Sequence, residues 1–158
     1  MSERWPPAVA LEEALPDAVE EVVEEGVHKF VRVRADKIVK AARVLRENCG
    51  VEMLHQVSGV DYREDRFEVV YHFARVKPDP DFICLKVSLP RDDPVVPTLA
   101  HEWATADWGE RETWDLLGIR FEGHPHPYRI LLPEDWEGHP LRKDYEFPTD
   151  YHGIDCTE

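Results

Sequence analysis

Residues 67–73, Phe67-Glu68-Val69-Val70-Tyr71-His72-Phe73, and residues 83–89, Ile83-Cys84-Leu85-Lys86-Val87-Ser88-Leu89, decide the fold. Phe67, Val69, Tyr71 and Phe73 fall at every second position, as do Ile83, Leu85, Val87 and Leu89. Successive side chains of a strand point to opposite sides of the sheet, so this alternation predicts two half-buried strands. They reach from Phe67 to Val76 and from Phe82 to Leu89, and an earlier strand spans Val51 to Val60. The stretches between them, Arg63-Glu64-Asp65-Arg66 and Lys77-Pro78-Asp79-Pro80-Asp81, are charged and turn-forming.

Upstream, Asp36 stands where a helix N-cap is expected, and Ile38, Ala41 or Ala42, Leu45 and Cys49 recur at helical spacing until Gly50 supplies the stop. Before it, Val31 and Val33 alternate with Arg32 and Arg34 in a strand from Val27 to Arg34. Residues 8–15 suit a short helix closed by Pro16. Residues 17–25 carry two readings: the acidic composition favours helix, whereas Val19, Val22 and Val23 also fit a short strand ahead of Gly26.

Downstream, a helical region is expected from about Thr98 to Leu117, broken near Asp107 to Gly109, with Asp107 and Glu110 forming a capping box at the restart. Arg111 and Asp115 are four apart and suited to pair, Trp114 and Leu117 give the apolar side, and Gly118 ends the helix. Strands followed by helices imply an α+β domain with a sheet covered by helices on one side. After Gly118, Pro125, Pro127, Pro133, Pro140 and Pro148 interrupt every period, yet apolar residues such as Tyr128, Leu131, Trp136, Leu141 and Phe147 persist. We therefore expect residues 1–118 to form the core domain and residues 119–158 an extended docking arm that buries its apolar side chains on a partner.

A chain of 158 residues is one domain's worth, long enough to build a hydrophobic core without staples. With 19 Lys and Arg against 33 Asp and Glu, the net charge of −14 disfavours nucleic acid and bare anionic lipid as partners. No apolar run is long enough for a membrane span, and Met1-Ser2-Glu3-Arg4-Trp5-Pro6-Pro7 lacks a hydrophobic signal segment, so a location inside the cell is expected. Cys49, Cys84 and Cys156 are odd in number and widely spaced, which fits a reducing compartment better than a disulfide framework or an iron–sulfur motif.

Catalytic motifs fail one by one. His101-Glu102-Trp103-Ala104-Thr105 opens like a zinc protease helix, but Thr105 stands where the second metal-binding histidine must be. Ser58 lacks the flanking glycines of a nucleophile elbow, and no Gly-rich phosphate or dinucleotide loop is present. His124-Pro125-His126 places two imidazoles close together in a histidine-rich C-terminal region, although no Cys, Asp or Glu stands at a ligand spacing. A stand-alone metal-dependent hydrolase would have to be built from these groups. The basic run Arg32, Arg34, Lys37, Lys40, Arg43 and Arg46 lacks interleaved aromatics and reads as a solvated or partner-facing surface. Glu110-Arg111-Glu112 has the composition of a catalytic carboxylate pair, but acids in a first helical turn are expected from the dipole alone. Trp103, Trp108, Trp114 and Trp136 cluster in the sequence as either core residues or interface anchors.

The ordered string Glu110-Arg111-Glu112-Thr113-Trp114-Asp115-Leu116-Leu117-Gly118-Ile119, followed by Phe121, His124-Pro125, Arg129-Ile130-Leu131 and Asp135-Trp136-Glu137-Gly138-His139-Pro140-Leu141-Arg142-Lys143-Asp144-Tyr145, closely resembles the C subunit of proton-translocating NADH-quinone oxidoreductase, the 30 kDa family of respiratory complex I. Val60-Asp61-Tyr62 and Arg66-Phe67-Glu68-Val69-Val70-Tyr71 extend the resemblance, which covers roughly residues 10 to 147. It implies a two-layer α+β domain with a mixed, mainly antiparallel sheet of about five strands, in which residues 19–24 and 27–34 form a hairpin. It also implies an accessory subunit of the peripheral arm without a cofactor of its own. Its partners would be the large quinone-site subunit and two iron–sulfur subunits, respectively subunits D, B and I of the complex, on the cytoplasmic face of the inner membrane. FMN, iron–sulfur clusters and quinone would then belong to partner chains, as would the transfer of electrons from NADH to quinone. An equivalent subunit of a related membrane-bound complex, such as an energy-converting hydrogenase, would look alike. The family string carries no catalytic assignment, so Glu110, Arg111, Glu112, Asp115, Gly118, His124, Arg129, Trp136, Pro140, Arg142, Lys143, Asp144 and Tyr145 are expected to be structural or interface residues.

Overall fold

The computed structural model describes residues 4–26, 28–63, 65–77 and 80–156. The elements in chain order are α1 (Pro6–Ala14), β1 (Val19–Val23), β2 (Phe30–Val33), a 3-10 turn (Ala35–Lys37), α2 (Ile38–Cys49), β3 (Met53–Asp61), β4 (Arg66–Arg75), β5 (Asp81–Pro90), β6 (Val95–Pro97), α3 (Ala104–Leu117), β7 (Arg120–Glu122), β8 (Asp150–Tyr151) and β9 (Ile154–Asp155). Val27, expected to open the second strand, and Glu64, Pro78 and Asp79 of the expected turns lie outside the described residues.

The two alternating stretches pair with each other and bury the face that their pattern marks as apolar. β4 and β5 pair antiparallel with Phe67 opposite Leu89, Val69 opposite Val87, Tyr71 opposite Leu85 and Phe73 opposite Ile83. All eight side chains are at most 2% exposed, so the pair supplies a continuous apolar floor. The five-stranded sheet has the order β1-β2-β5-β4-β3, and β2 and β5 form its parallel pair. Residues 17–25 depart from the helix that their composition favours. Val19 to Val23 pairs antiparallel with β2, where Val22 opposite Val31 gains more from the sheet than an isolated acidic turn gains from helix.

Gly50 closes α2 in the left-handed conformation at φ 65°, as expected. Asp36 does not cap α2: it sits within the 3-10 turn, and its carboxylate accepts from Arg34 Nε at 3.0 Å. α3 is also shorter and simpler than expected. It begins at Ala104 and runs unbroken through Asp107 and Gly109, while Thr98 extends the ladder beside β7 through Thr98 N–H to Glu122 O at 3.0 Å. β6 and β7 are a parallel pair with α3 as their crossover. Ile119 and Phe121 belong to the core, so the proline-rich segment proper begins beyond β7.

α1, α2 and α3 contribute Ala8, Leu11, Ile38, Leu45, Ala106 and Leu117 to a single core with the apolar sheet face. α3 lies close on β3 because two glycines remove side chains from the contact. A Cβ at Gly59 would sit 2.4 Å from Leu117 Cδ1 and 2.8 Å from Thr113 Cγ2, and one at Gly109 would sit 3.1 Å from Val57 Cβ. Gly59→Val should push α3 off β3 at a cost of about 1–3 kcal/mol. Thermal unfolding followed by circular dichroism would show this as a midpoint lowered by roughly 2–12 °C.

Candidate functional site

Arg129, His139, Leu141 and Arg142 of the family string converge on the C-terminal end of α3. A helix end leaves its last carbonyls without intrahelical partners, and the dipole makes that end negative. Here the chain beyond β7 returns to supply the missing donors. His139 Nδ1 lies 2.9 Å from Asp115 O, Leu141 N–H reaches Leu116 O at 3.0 Å, and Arg142 Nε reaches Leu117 O at 2.6 Å, while Gly118 N–H, at the helix end itself, closes on Trp114 O at 2.8 Å. Arg129 and Arg142 bring positive charge to the same pole, with Arg142 also stacked over the Phe67 ring at 5.1 Å.

Asp115 organises this junction. Its carboxylate is fully buried, and one oxygen accepts from the backbone N–H groups of Ile130, Leu131 and Leu132 at 3.1, 2.8 and 2.9 Å. The other oxygen accepts from Arg129 Nη1 at 2.6 Å, while Arg129 Nη2 donates to Trp136 O at 2.7 Å and Gly138 O at 3.2 Å. Burial alone would raise the pKa of Asp115, but the three N–H donors and Arg129 outweigh it and hold the group below the usual aspartate range. The expected pairing of Asp115 with Arg111 does not form. Arg111 instead donates to Tyr128 O at 3.2 Å and Arg129 O at 3.0 Å, so both residues reach across to the arm.

Glycine is required at two close approaches. Gly118 has φ 73°, and a Cβ there would lie 2.5 Å from both Arg142 Nη2 and His139 Cδ2. Gly138 has φ 80° and packs against the Tyr145 ring, whose hydroxyl donates to Glu137 O at 2.9 Å. Farther along, Lys143 N–H donates to Asp61 Oδ2 at 2.8 Å, and Arg91 bridges Asp61 Oδ1 at 2.5 Å and Asp144 Oδ1 at 2.7 Å. Burial raises the pKa of Asp61, but Arg91 and the N–H groups of Lys143 and Arg63 prevail and hold it low.

Glu110 has a different use from the expected capping box. It is fully buried, accepts from Leu99 N–H at 2.7 Å and from the Thr98 hydroxyl, and lies 3.6 Å from His124 Nε2. Burial pushes its carboxyl up to about 7, while burial lowers His124. These two groups face a cavity of about 300 Å³ that Trp114 and Phe121 also line. A buried carboxyl with a raised pKa beside a histidine in a cleft is the pattern of a candidate functional site. His124 Nδ1 accepts from His126 N–H at 3.0 Å and its Nε2 lies 3.2 Å from Asp107 O, so its nitrogens are engaged in hydrogen bonds. Among the described residues no group of three or more His, Cys, Asp or Glu is placed to hold a metal ion.

Of the other expected site residues, Glu112 is exposed, Pro140 is half-buried, and Trp136 is half-buried with its ring 5.2 Å from Tyr151. Trp103 lies in the core with Arg46 stacked over it at 3.9 Å, whereas Trp108 is 70% exposed. Much of the basic run is consumed internally: Arg43 and Arg46 bind Glu102, Arg34 binds Asp36, and Arg32 binds Glu21 and Glu68. Sequence spacing missed His139, Arg91 and Thr98, because their partners are 24, 30 and 12 positions away.

Asp115→Asn leaves Arg129, whose side chain is only 13% exposed, without its counter-charge and should cost on the order of 3–5 kcal/mol in urea unfolding. A depressed carboxylate contributes fully above its unfolded pKa and loses that contribution as pH falls through its folded pKa. The parent should therefore lose stability below about pH 4, and the variant should lack part of that acid slope. Glu110 works in the opposite direction, because its carboxyl is raised from 4.5 to about 7. The parent should lose stability as pH climbs between those values, and Glu110→Gln should flatten that slope by on the order of 3 kcal/mol in paired urea titrations.

The sequence profile of the family described as respiratory-chain NADH dehydrogenase, 30 Kd subunit, matches residues 31–151. The C subunit of NADH-quinone oxidoreductase from Roseiflexus sp. (strain RS-1) is 49% identical over 138 residues, spanning 85% of this chain and 79% of that protein. The solved trypsin-resistant fragment (1–134) of Nqo5 is 29% identical with a TM-score of 0.64, covering 77% of this chain and 99% of that one. A chain from the membrane-bound sulfane sulfur reductase, an archaeal respiratory membrane complex, is also 29% identical with a TM-score of 0.71, covering 88% of this chain and 82% of that one. Residues Glu110 to Tyr145 lie inside the matched span, and the chain belongs to the 30 kDa subunit family of respiratory-chain NADH dehydrogenase, the family of the C subunits of complex I.

Proposed function

We propose that this chain is a cofactor-free accessory subunit of the peripheral arm of proton-translocating NADH-quinone oxidoreductase, and that it supports assembly with the large quinone-site subunit. The iron–sulfur subunits B and I lie nearby in this reading, at the cytoplasmic face of the inner membrane. NADH oxidation and quinone reduction belong to the whole complex, with FMN, iron–sulfur clusters and quinone held by partner chains. Among the described residues no helix is long and apolar enough to cross a membrane, which accords with peripheral attachment.

The observation that carries the assembly role is how the arm divides its groups. Its polar groups turn inward onto α3 through Asp115, Arg129 and Arg142. Leu131 and Leu141, whose backbone N–H groups bond Asp115 and Leu116, remain 60% and 59% exposed, and Phe147 and Ile154 farther along are each 65% exposed. Preorganisation of this kind lowers the entropy lost on docking. An equivalent place in a related membrane-bound respiratory complex is the second reading, favoured by the likeness to the sulfane sulfur reductase chain. Mass spectrometry of the co-purifying chains separates the two.

Leu131→Asp and Phe147→Asp alter exposed side chains and should leave the circular dichroism spectrum unchanged. Co-purification with the large quinone-site partner should fall at least tenfold; undiminished assembly in both variants would sink the docking role of the arm.

A further inference from the structure

The sheet has a second face. Positions that alternate with the core residues carry Phe30 and Arg32 on β2, Phe82 and Lys86 on β5, and Glu68 and Val70 on β4, and they line or border an open cleft of about 640 Å³. At its centre Glu68 is fully buried, although it points away from the helices. Its carboxylate accepts from Arg32 Nη2 at 3.0 Å and from the Tyr62 hydroxyl at 3.3 Å, and Lys86 Nζ lies 3.5 Å away.

The order of charge across this face is the informative feature. The Arg32 and Lys86 side chains keep 21% and 23% exposure, whereas Glu68 keeps none, so the cations lie outermost over their counter-ion. Glu21, at the neighbouring edge, shares Arg32, and Lys29 and Asp81 stand at the rim. Arg32 Nε is buried without an acceptor, and such an orphan costs about 1–3 kcal/mol. Phe30 stacks beneath both cations, 4.1 Å from Lys86 Nζ and 5.5 Å from Arg32 Cζ, and Phe82 is 66% exposed. Aromatic anchors around partly desolvated cations are the composition of a protein interface rather than of a freely solvated face. Lys29, Arg32 and Lys86 locally balance Glu21, Glu68 and Asp81, so in a chain of net charge −14 this face repels an acidic partner less than the average surface does.

We propose that the open sheet face docks an acidic, apolar segment of a neighbouring subunit, with a partner carboxylate over Arg32 and Lys86 and apolar side chains over Phe30, Val70 and Phe82. This interface lies on the opposite side of the sheet from the arm. It rests on the reading that the chain is a subunit of a larger assembly. A phosphodiester headgroup would also satisfy the cations, but it would leave the surrounding aromatic surface uncovered.

The test uses the intact complex. A photo-crosslinking amino acid replaces Phe82, and as a reference it replaces exposed Glu47 on α2. Irradiation should yield one discrete protein adduct from position 82, mapping to a peptide rich in Asp or Glu. Lys86→Met and Lys86→Glu should lower that adduct at least fivefold, while the complex still co-purifies through the arm. The methionine variant guards against misfolding from a new acid beside Glu68. Lipid adducts alone, no protein adduct, or an undiminished adduct in both variants would overturn the docking surface and leave the arm's role standing. Failure of the chain to co-purify with any other subunit would overturn both.

Discussion

A single buried carboxylate holds the second half of this molecule together. Asp115 occupies the last turn of α3, where an acid is disfavoured by the helix dipole and by burial. It is tolerated because Arg129 and three consecutive backbone N–H groups surround it. Those N–H groups belong to residues that prolines and lack of periodicity keep out of any regular element, so the carboxylate substitutes for a secondary-structure ladder. With the loop fixed there, Arg129 clamps the carbonyls of Trp136 and Gly138, and the following turn delivers His139, Leu141 and Arg142 to the helix end.

How much of this was legible follows from where each interaction reaches. The period-two apolar pattern of β4 and β5 foretold which side chains share the buried face, because a one-residue slip would turn all of them to the other side, whereas the register itself came with the pairing of the two strands. The acidic segment before Gly26 was ambiguous locally and became a strand once β2 stood beside it. Misreadings concentrate on charged residues with two available explanations. Glu110 looked like a cap because it lies three residues after Asp107, and Arg111 and Asp115 looked like a surface pair because they are four apart. In each case a partner distant in sequence was available: the Leu99 N–H for Glu110, the Arg129 carbonyl for Arg111, and the Arg129 guanidinium, which alone compensates a charge, for Asp115. The internal order of the arm left no periodic trace at all, since carboxylate-to-backbone bonds impose no repeat on the residues that make them.

The two faces of the sheet divide the chemistry. Helices and aliphatic side chains close one side, where a methyl group at Gly59 already meets α3. The other side keeps a carboxylate, two cations and aromatic rings in contact with one another. Only Glu68 is fully buried in this cluster, and Arg32 and Lys86 cover it, so removal of either cation would leave a buried carboxylate short of its counter-charge.

The capping of α3 also has a temporal side. Arg142 follows Leu117 by 25 residues, so the donor for that carbonyl emerges well after the helix itself. At roughly 5–20 residues per second, synthesis leaves this helix end exposed to water for about 1–5 s. During that interval the sheet and α3 can already pack, because their contacts lie upstream of Gly118. The elements that the arm packs against all precede it in the chain, so it is synthesised after the surface that it caps.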